Sequence, residues 1–296
     1  MRVFVTGAAG FIGSAVVKEL RGAGHTVLGL ARSDANATAL TAAGADVHRG
    51  TLEDLDSLRR GALAADAVIH CAFIHDFSKF AENGQVDKRA IEAMGTTLAG
   101  SNKPLIVTSG VAMLAPGRTA TEDDAAPAGD AVPRVSEQAA FAFVDKGVRV
   151  STVRLPQVHG ADGKAGLVGY LLDIARQKGA ATYVGDGSNR WAAAHRADVA
   201  RLYRLVLEKG VTGGRYHAVG EEGVALGDIA RVLAKHLNVP TASIAREEAA
   251  AQFGWLGHFV SVDGPASSAL TQQRLGWKPT EIGLIADIGQ PGYFPV

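Results

Sequence analysis

The residues with the most definite chemistry are three glycines. Gly7, Gly10 and Gly13 stand at G-x-x-G-x-x-G spacing, directly after the apolar run Val3-Phe4-Val5. They open a segment in which Ile12, Ala15, Val16 and Leu20 share one helical face, with Lys18, Glu19 and Arg21 turned away. This is strand, tight turn, helix. Gly7 permits the turn, Gly10 lets the backbone approach a pyrophosphate, and Gly13 allows helix and strand to pack closely. The backbone N–H groups of Phe11, Ile12 and Gly13 lie at the positive end of that helix, where phosphate is favoured. The pattern predicts a bound dinucleotide.

A second group selects among dinucleotides. His25–Ala31 reads as a strand, and Arg32 and Ser33 follow it. A carboxylate there would hold the adenosine ribose 2′-OH and select NAD. A guanidinium with a hydroxyl suits a 2′-phosphate, because Arg makes paired, charge-assisted bonds to phosphate. NADP is therefore the expected cofactor. Asp34, one residue late, keeps NAD as the less favoured reading, and a solvated Arg32 is the plain structural alternative.

These residues need a frame. Residues 34–43 read as a helix, 45–49 as a strand, the stretch through Leu55 and Leu58 as a helix, and 67–72 as a strand; Pro104–Gly110 and Arg149–Leu155 add two more strands. The alternation predicts an α/β fold, a Rossmann doubly wound parallel sheet covered on both faces. Ligands of such sheets lie beyond the carboxyl ends of the strands. That rule singles out Gly7 to Gly13, Arg32, Thr51, Leu52, Ala72, Phe73 and residues 108–110, Thr108 among them.

Composition narrows the partners. The 296 residues carry 30 basic and 30 acidic side chains, and no long basic run, which gives no footprint for nucleic acid or an anionic membrane. The single cysteine, Cys71, excludes an intrachain disulfide. No apolar run reaches the roughly 18–20 residues that span a bilayer, and the chain enters a strand at once, so a cytoplasmic location is expected. The nine histidines are scattered without metal-ligand spacing.

TGAAGFIG, AVIHCAF, LIVTSG, VRLPQVHG, VGDGSNRW, AHRADVARLY and LGWKPT occur in this order along the chain. Together they resemble the extended short-chain dehydrogenases/reductases, which include the NAD-dependent epimerase/dehydratase group. The resemblance implies a dinucleotide-binding unit of residues 1–155 with about 192–220, and a smaller C-terminal substrate-binding domain of 156–191 and 221–296. It implies that a hydroxyl at the end of the fifth strand polarises a substrate carbonyl, with Ser109 nearest, Thr108 beside it and Gly110 equally in register. It implies that backbone around Pro156 and Val158 meets the nicotinamide, with His159 where an aromatic is common. Relatives dimerise through helices near 80–100 and 136–147, so the expected state is monomer or homodimer, acting on a small molecule.

One expected motif is missing. The resemblance calls for Tyr-x-x-x-Lys, where Tyr donates the proton and Lys lowers its pKa; Pro133 and Glu137 stand at those places. The chain thus resembles an atypical branch that keeps the cofactor fold without the usual donor. Ser136 reads as a helix N-cap, or as facing the nicotinamide ribose with Glu137; Arg134 could orient a carbonyl or anion. His75, in Phe73-Ile74-His75-Asp76-Phe77, is a candidate general acid or a surface histidine beside a capping Asp76. His159 is a second candidate acid, and Lys79 a spare. Asp87, Lys88 and Arg89 read as an exposed helical face, Asp198 as a helix cap, and the aromatics of Phe253–Phe259 as pocket lining or core. The expected function is NADP-dependent reduction of a small organic carbonyl. A redox-inactive dinucleotide-binding sensor, or a non-redox isomerase or lyase, is the alternative.

Overall fold

The computed structural model describes residues 1–115, 117–127, 134–160 and 166–294. Its strands, in chain order, are β1 (Arg2–Thr6), β2 (Thr26–Ala31), β3 (Asp46–Arg49), β4 (Ala67–His70), β5 (Pro104–Gly110), β6 (Arg149–Leu155), β7 (Gln157–His159), β8 (Ala181–Val184), β9 (Arg190–His195), β10 (Gly214–His217), β11 (Glu221–Ala225) and β12 (Thr241–Ile244). Its α-helices are α1 (Phe11–Gly22), α2 (Asp34–Ala42), α3 (Leu55–Leu63), α4 (Phe80–Leu98), α5 (Ser136–Phe141), α6 (Leu167–Lys178), α7 (Arg196–Lys209), α8 (Leu226–Leu237), α9 (Ala249–Phe253), α10 (Gly257–Val260), α11 (Ala269–Leu275) and α12 (Leu284–Ile288).

Seven strands form one parallel sheet in the order β10-β6-β5-β4-β1-β2-β3. This is the doubly wound Rossmann arrangement predicted from the alternation of strands and helices. The strand order reverses between β1 and β4, which opens the crevice where such sheets bind ligands. Register fixes what faces that crevice: Thr6 of β1 pairs with His70 of β4, and Ser109 of β5 with Arg154 of β6.

Both faces of the sheet are buried. Val3 and Val5 point to one cluster with Val16, Val17 and Leu20 of α1 and Leu202, Tyr203 and Val206 of α7. Phe4, between them in sequence, points to the other face, with Leu58 of α3 and Ile91 and Met94 of α4. That is period-2 side-chain alternation with both surfaces covered. Each fully buried Val, Leu or Phe here contributes roughly 1.5–3 kcal/mol.

A second layer holds the three-stranded sheet β11-β9-β7 and the pair β12-β8. Its core gathers Leu171 of α6, Ile229 of α8, Phe253, Leu256, Leu284 and Phe294. The segment after α11 returns to the first layer: Trp277 is buried and its indole N–H donates to the Asp198 carbonyl at 3.0 Å.

The short strands β7, β9, β11 and β12 are not evident from periodicity, because three to six residues give too few alternations. Boundaries also shift. β4 stops at His70 rather than 72, because the Cys71 and Ala72 N–H groups turn back to the Thr6 carbonyl and hydroxyl, both at 3.3 Å. Asp198 does not cap α7. His195 does, its Nδ1 accepting from the Ala197 N–H, while the Asp198 carboxylate accepts from the N–H groups of Thr280 and Glu281.

Candidate active site

Gly7 follows β1 with φ +66°. A Cβ there would lie 2.8 Å from the Ala72 nitrogen, so the approach of β1 and β4 at the crevice itself demands glycine. A Cβ on Gly13 would lie 2.0 Å from the Gly7 carbonyl oxygen, which excludes any other residue at that point of α1. Gly10 is the N-cap of α1 and supplies no side-chain cap, leaving the N–H groups of Phe11, Ile12 and Gly13 for an incoming anion. The cradle fits a dinucleotide pyrophosphate.

At the adenosine end, Arg32 is exposed after β2. Ser33 caps α2 by accepting the Asn36 N–H at 3.2 Å, which leaves its own hydroxyl proton free. Asp34 is held by Arg49 at 2.6 Å, and Arg49 ends β3 in register with Ala31. Two guanidinium groups therefore flank this corner, and its nearest carboxylate is already paired. Thr51 accepts from the Glu53 and Asp54 N–H groups, both at 3.3 Å, and Leu52 packs on the core beside α3.

Near the carboxyl ends of β1, β4 and β5 lies a polar chain that also takes in α4 and α5. His70 Nδ1 meets the Thr6 hydroxyl at 2.8 Å, and Nε2 meets Asp87 Oδ1 of α4 at 3.0 Å. Ser136 donates to the other oxygen of Asp87. Arg134 Nε donates to the Ser136 hydroxyl at 2.9 Å, and its Nη2 donates to the Thr108 carbonyl at 3.0 Å. The guanidinium lies 4.3 Å over the Phe73 ring. Burial works against the charge of Asp87, but the bonds from His70 and Ser136 and the nearness of Arg134 hold its carboxyl below the usual range. Arg134 Nη1 makes no hydrogen bond to a described residue. Nor does the half-buried Ser109 hydroxyl, one residue on from Thr108.

Thr108 itself faces the core. Its hydroxyl donates to the His70 carbonyl at 2.6 Å and bonds the Tyr203 hydroxyl at 2.6 Å. Burial pushes the Cys71 thiol beside them up to about 12 and the Tyr203 phenol well above its usual value, so both keep their protons at neutral pH.

Beyond the ends of β5 and β6 a chamber of about 150 Å³ opens. Val111, Met113, Leu155, Pro156, Trp191 and Phe259 are among its walls. Met113 sits at φ +69°, a left-handed conformation that costs an L-residue roughly 1–2 kcal/mol. Strain of this kind concentrates where a fold is shaped for a ligand. Outside the chamber, Phe77 stacks on Trp255 with centroids 3.7 Å apart, and Tyr170 meets Trp255 edge-on at 5.3 Å.

A family model for the NAD dependent epimerase/dehydratase family matches residues 3–219. The chain belongs to this family. It is 49% identical over 296 residues, spanning 99% of this chain and 100% of the relative, to "Uncharacterized protein C2A9.02" of Schizosaccharomyces pombe. It is 28% identical over 244 residues, 75% of this chain and 72% of the relative, to sterol-4-alpha-carboxylate 3-dehydrogenase, decarboxylating, of Dictyostelium discoideum. The fold matches that of dTDP-glucose 4,6-dehydratase from Streptomyces venezuelae, solved with NAD and TYD bound, at TM-score 0.75 and 20% identity, covering 98% of this chain and 95% of that one.

Against this family background the departures are local. Pro133, at the place of the family Tyr, lies outside the described residues. Glu137, at the place of the Lys, does not face a ribose: it is buried, with Arg154 at 2.7 Å and Arg215 at 2.7 Å on the same carboxylate oxygen. Ser136 does not cap α5, whose N-cap is Val135; its hydroxyl serves Asp87 and Arg134. Asp87 is not on an exposed face but buried at the centre of the polar chain. The signal was present: Asn83 and Asp87 continue, at helical spacing, the inward stripe of Ala90, Ile91 and Met94. His70 carried no distinguishing pattern inside its apolar strand.

His75 is exposed, edge-on to Phe73 at 5.6 Å and to Phe77 at 5.9 Å. Packing around its ring, then the Arg134 charge, lower its pKa, so it is neutral at neutral pH. Asp76 caps the short turn that follows. His159 lies in the second layer, where its Nδ1 meets Asp287 at 2.7 Å and its ring meets His195 at 5.4 Å. No hydrogen bond or ring contact among the described residues joins it to Ser109, His75 or Ser136. Val158 is buried in the core beside α1, and Pro156 lines the chamber.

Among the described residues no group of His, Cys, Asp and Glu is arranged to hold a metal, and no helix is long and apolar enough to cross a membrane.

Proposed function

We propose that this chain is an NADP-dependent reductase of a small organic carbonyl compound, in which Arg134 and Ser109 replace the family's Tyr and Lys. The observation that carries the reading is the placement of Arg134. It is anchored on the Thr108 carbonyl and on Ser136, with Asp87 behind, and among the described residues neither its Nη1 nor the hydroxyl of Ser109, the residue after Thr108, makes a hydrogen bond. NADP is favoured by Arg32 and Ser33, with Arg49 neutralising Asp34; the dehydratase of similar fold carries NAD, so the preference belongs to this chain's own residues.

Bound on the glycine cradle, a nicotinamide dinucleotide would supply the hydride that a substrate carbonyl carbon accepts, with the carbonyl π pair moving onto oxygen. Arg134 holds the negative charge that develops there, as a fixed donor does best in a site already organised for it. The Ser109 hydroxyl hands a proton to that oxygen and recovers one from solvent. His75, neutral at the rim, is poorly charged to act as the acid, and Ser136 acts on Arg134 rather than on substrate.

The test is NADPH oxidation at 340 nm across a panel of aldehydes and ketones, with NADPH affinity from calorimetry. Arg134→Ala is expected to lower kcat by roughly 100-fold or more, as loss of one oxyanion donor does, with NADPH affinity unchanged. Full turnover by that variant would remove Arg134 from the reaction. Tight NADPH binding with no turnover across the panel would favour the sensor reading instead.

A further inference from the structure

We infer that the chamber beyond β5 and β6 is the substrate pocket, and that it takes a monocyclic, uncharged apolar aldehyde or ketone; this rests on the reductase reading above. Three observations carry it. The first is size. A chamber of about 150 Å³ has room for a six-membered ring, as an enclosed apolar protein cavity of that size binds benzene. This chamber is open on one side, and a nucleotide sugar, several times larger, would extend out of it into solvent.

The second is chemistry. None of the chamber's described lining residues carries an ionisable side chain. Two of the polar groups on its walls are already engaged: the Trp191 indole N–H donates to the Phe259 carbonyl at 3.0 Å, and the Gln157 amide nitrogen donates to the Val158 carbonyl at 3.0 Å. A diphosphate would enter without a partner for its charge, and its desolvation would go uncompensated. An apolar ring loses nothing there.

The third is placement. The walls include Val111, which follows the Ser109 strand end, and Leu155 and Pro156 at the end of β6. This puts the chamber on the carboxyl side of the sheet, its wall residue Val111 two positions along the chain from Ser109, although neither Ser109 nor Arg134 is among its described lining residues. The wall residue Phe259 touches Trp255 at 6.3 Å, and Trp255 stacks on Phe77 of the loop after β4. This aromatic run links the two layers outside the chamber and offers flat ring faces to an incoming ring.

The experiment measures binding separately from turnover. Benzaldehyde, cyclohexanone, 1-tetralone and UDP-glucose are titrated by calorimetry into the protein saturated with NADP+, and the same compounds except UDP-glucose are assayed with NADPH. The expected result is binding of the two monocyclic compounds, weaker or no binding of 1-tetralone, and none of UDP-glucose. Ala192→Leu, which adds bulk to a buried chamber wall, is expected to weaken cyclohexanone binding at least tenfold while NADP+ affinity is retained. Phe259→Ala, which enlarges the chamber, is expected to bring in 1-tetralone and covers the case that the first variant does not fold. UDP-glucose binding as tight as the rings, or ring binding unaltered in both variants, overturns the inference. Ring binding that responds to the variants but gives no NADPH oxidation upholds the pocket and counts against the reductase reading alone.

Discussion

Arg32 and Arg134 carry the most specific chemistry of any single residues in the chain, and they act differently. Arg32 is exposed, and the NADP reading proposed above gives it a part in recognition rather than in stability. Arg32→Ala is expected to weaken NADPH binding by roughly 10- to 100-fold, the equivalent of one or two charge-assisted bonds, and to leave NADH binding unchanged. Equal loss for both cofactors, measured by calorimetry, would show that the 2′-phosphate is held elsewhere. Arg134 is instead fixed by its neighbours. Its Nε and Nη2 are both spent on the protein, so its orientation is set before any substrate arrives. A fixed guanidinium stabilises developing charge without a cost of reorganisation at the moment of reaction. A tyrosine at the preceding position would do its work by a different route, by giving up a proton. On the reductase reading proposed above, the replacement separates two tasks, with charge stabilisation on Arg134 and proton delivery on the Ser109 hydroxyl.

The elements explain why Glu137 is compatible with the fold when a lysine is expected there. α5 packs against β5 and β6, and the Arg154 side chain reaches it from the sheet, fully buried. Glu137 is its counter-charge, with Nε at 2.9 Å and Nη2 at 2.7 Å completing a two-pronged pair. Breaking such a pair strands the remaining ion, so Glu137→Ala is expected to destabilise the protein by about 3–5 kcal/mol, read from urea unfolding. A loss under about 1 kcal/mol would mean that Arg154 finds water or another partner. The same reasoning separates α4 from an ordinary surface helix. Its charged residue Asp87 faces inward because His70 and Ser136 meet it there, while Lys88 and Glu92 form an i,i+4 pair on the outer side at 3.6 Å. Two acidic residues on one helix, Asp87 and Glu92, thus have opposite placements, decided by what packs against each face.

For the whole molecule the three histidines 159, 195 and 217 set a pH limit. Burial is the leading cause in each case, and each pKa lies below the ordinary 6.5 in the folded protein. Asp287 opposes the effect at His159 and His195, and Glu122 at His217, while Arg154 adds to it at His217. The unfolded chain binds these protons first as pH falls. Stability contributed by the neutral forms is therefore present above 6.5 and is lost as pH drops from 6.5 through the folded values. Thermal unfolding between pH 7.5 and 5 is expected to show a falling Tm below about 6.5; a flat profile over that range would contradict the burial of these rings.

The amino-acid sequence by itself determined the sheet and the cradle. Val3-Phe4-Val5 and the glycines at 7, 10 and 13 act within fifteen residues of one another, so their meaning is local and readable from spacing. The strands Pro104–Gly110 and Arg149–Leu155 end where their patterns predict. Arg32 and Ser33 are legible for the same reason, since a strand end fixes where the next two residues stand. Only tertiary structure decided the polar chain and the chamber. Thr6, His70, Asp87, Arg134 and Ser136 come from four separate elements, and no periodicity links them. The chamber likewise joins the ends of β5 and β6 to β9 and the segment around Phe259. Side chains far apart in sequence take their partners from the register of the sheet and the packing of α4 and α5 upon it. That is why the missing Tyr and Lys were visible in the sequence, while the residues proposed to stand in for them became apparent only once the chain was folded.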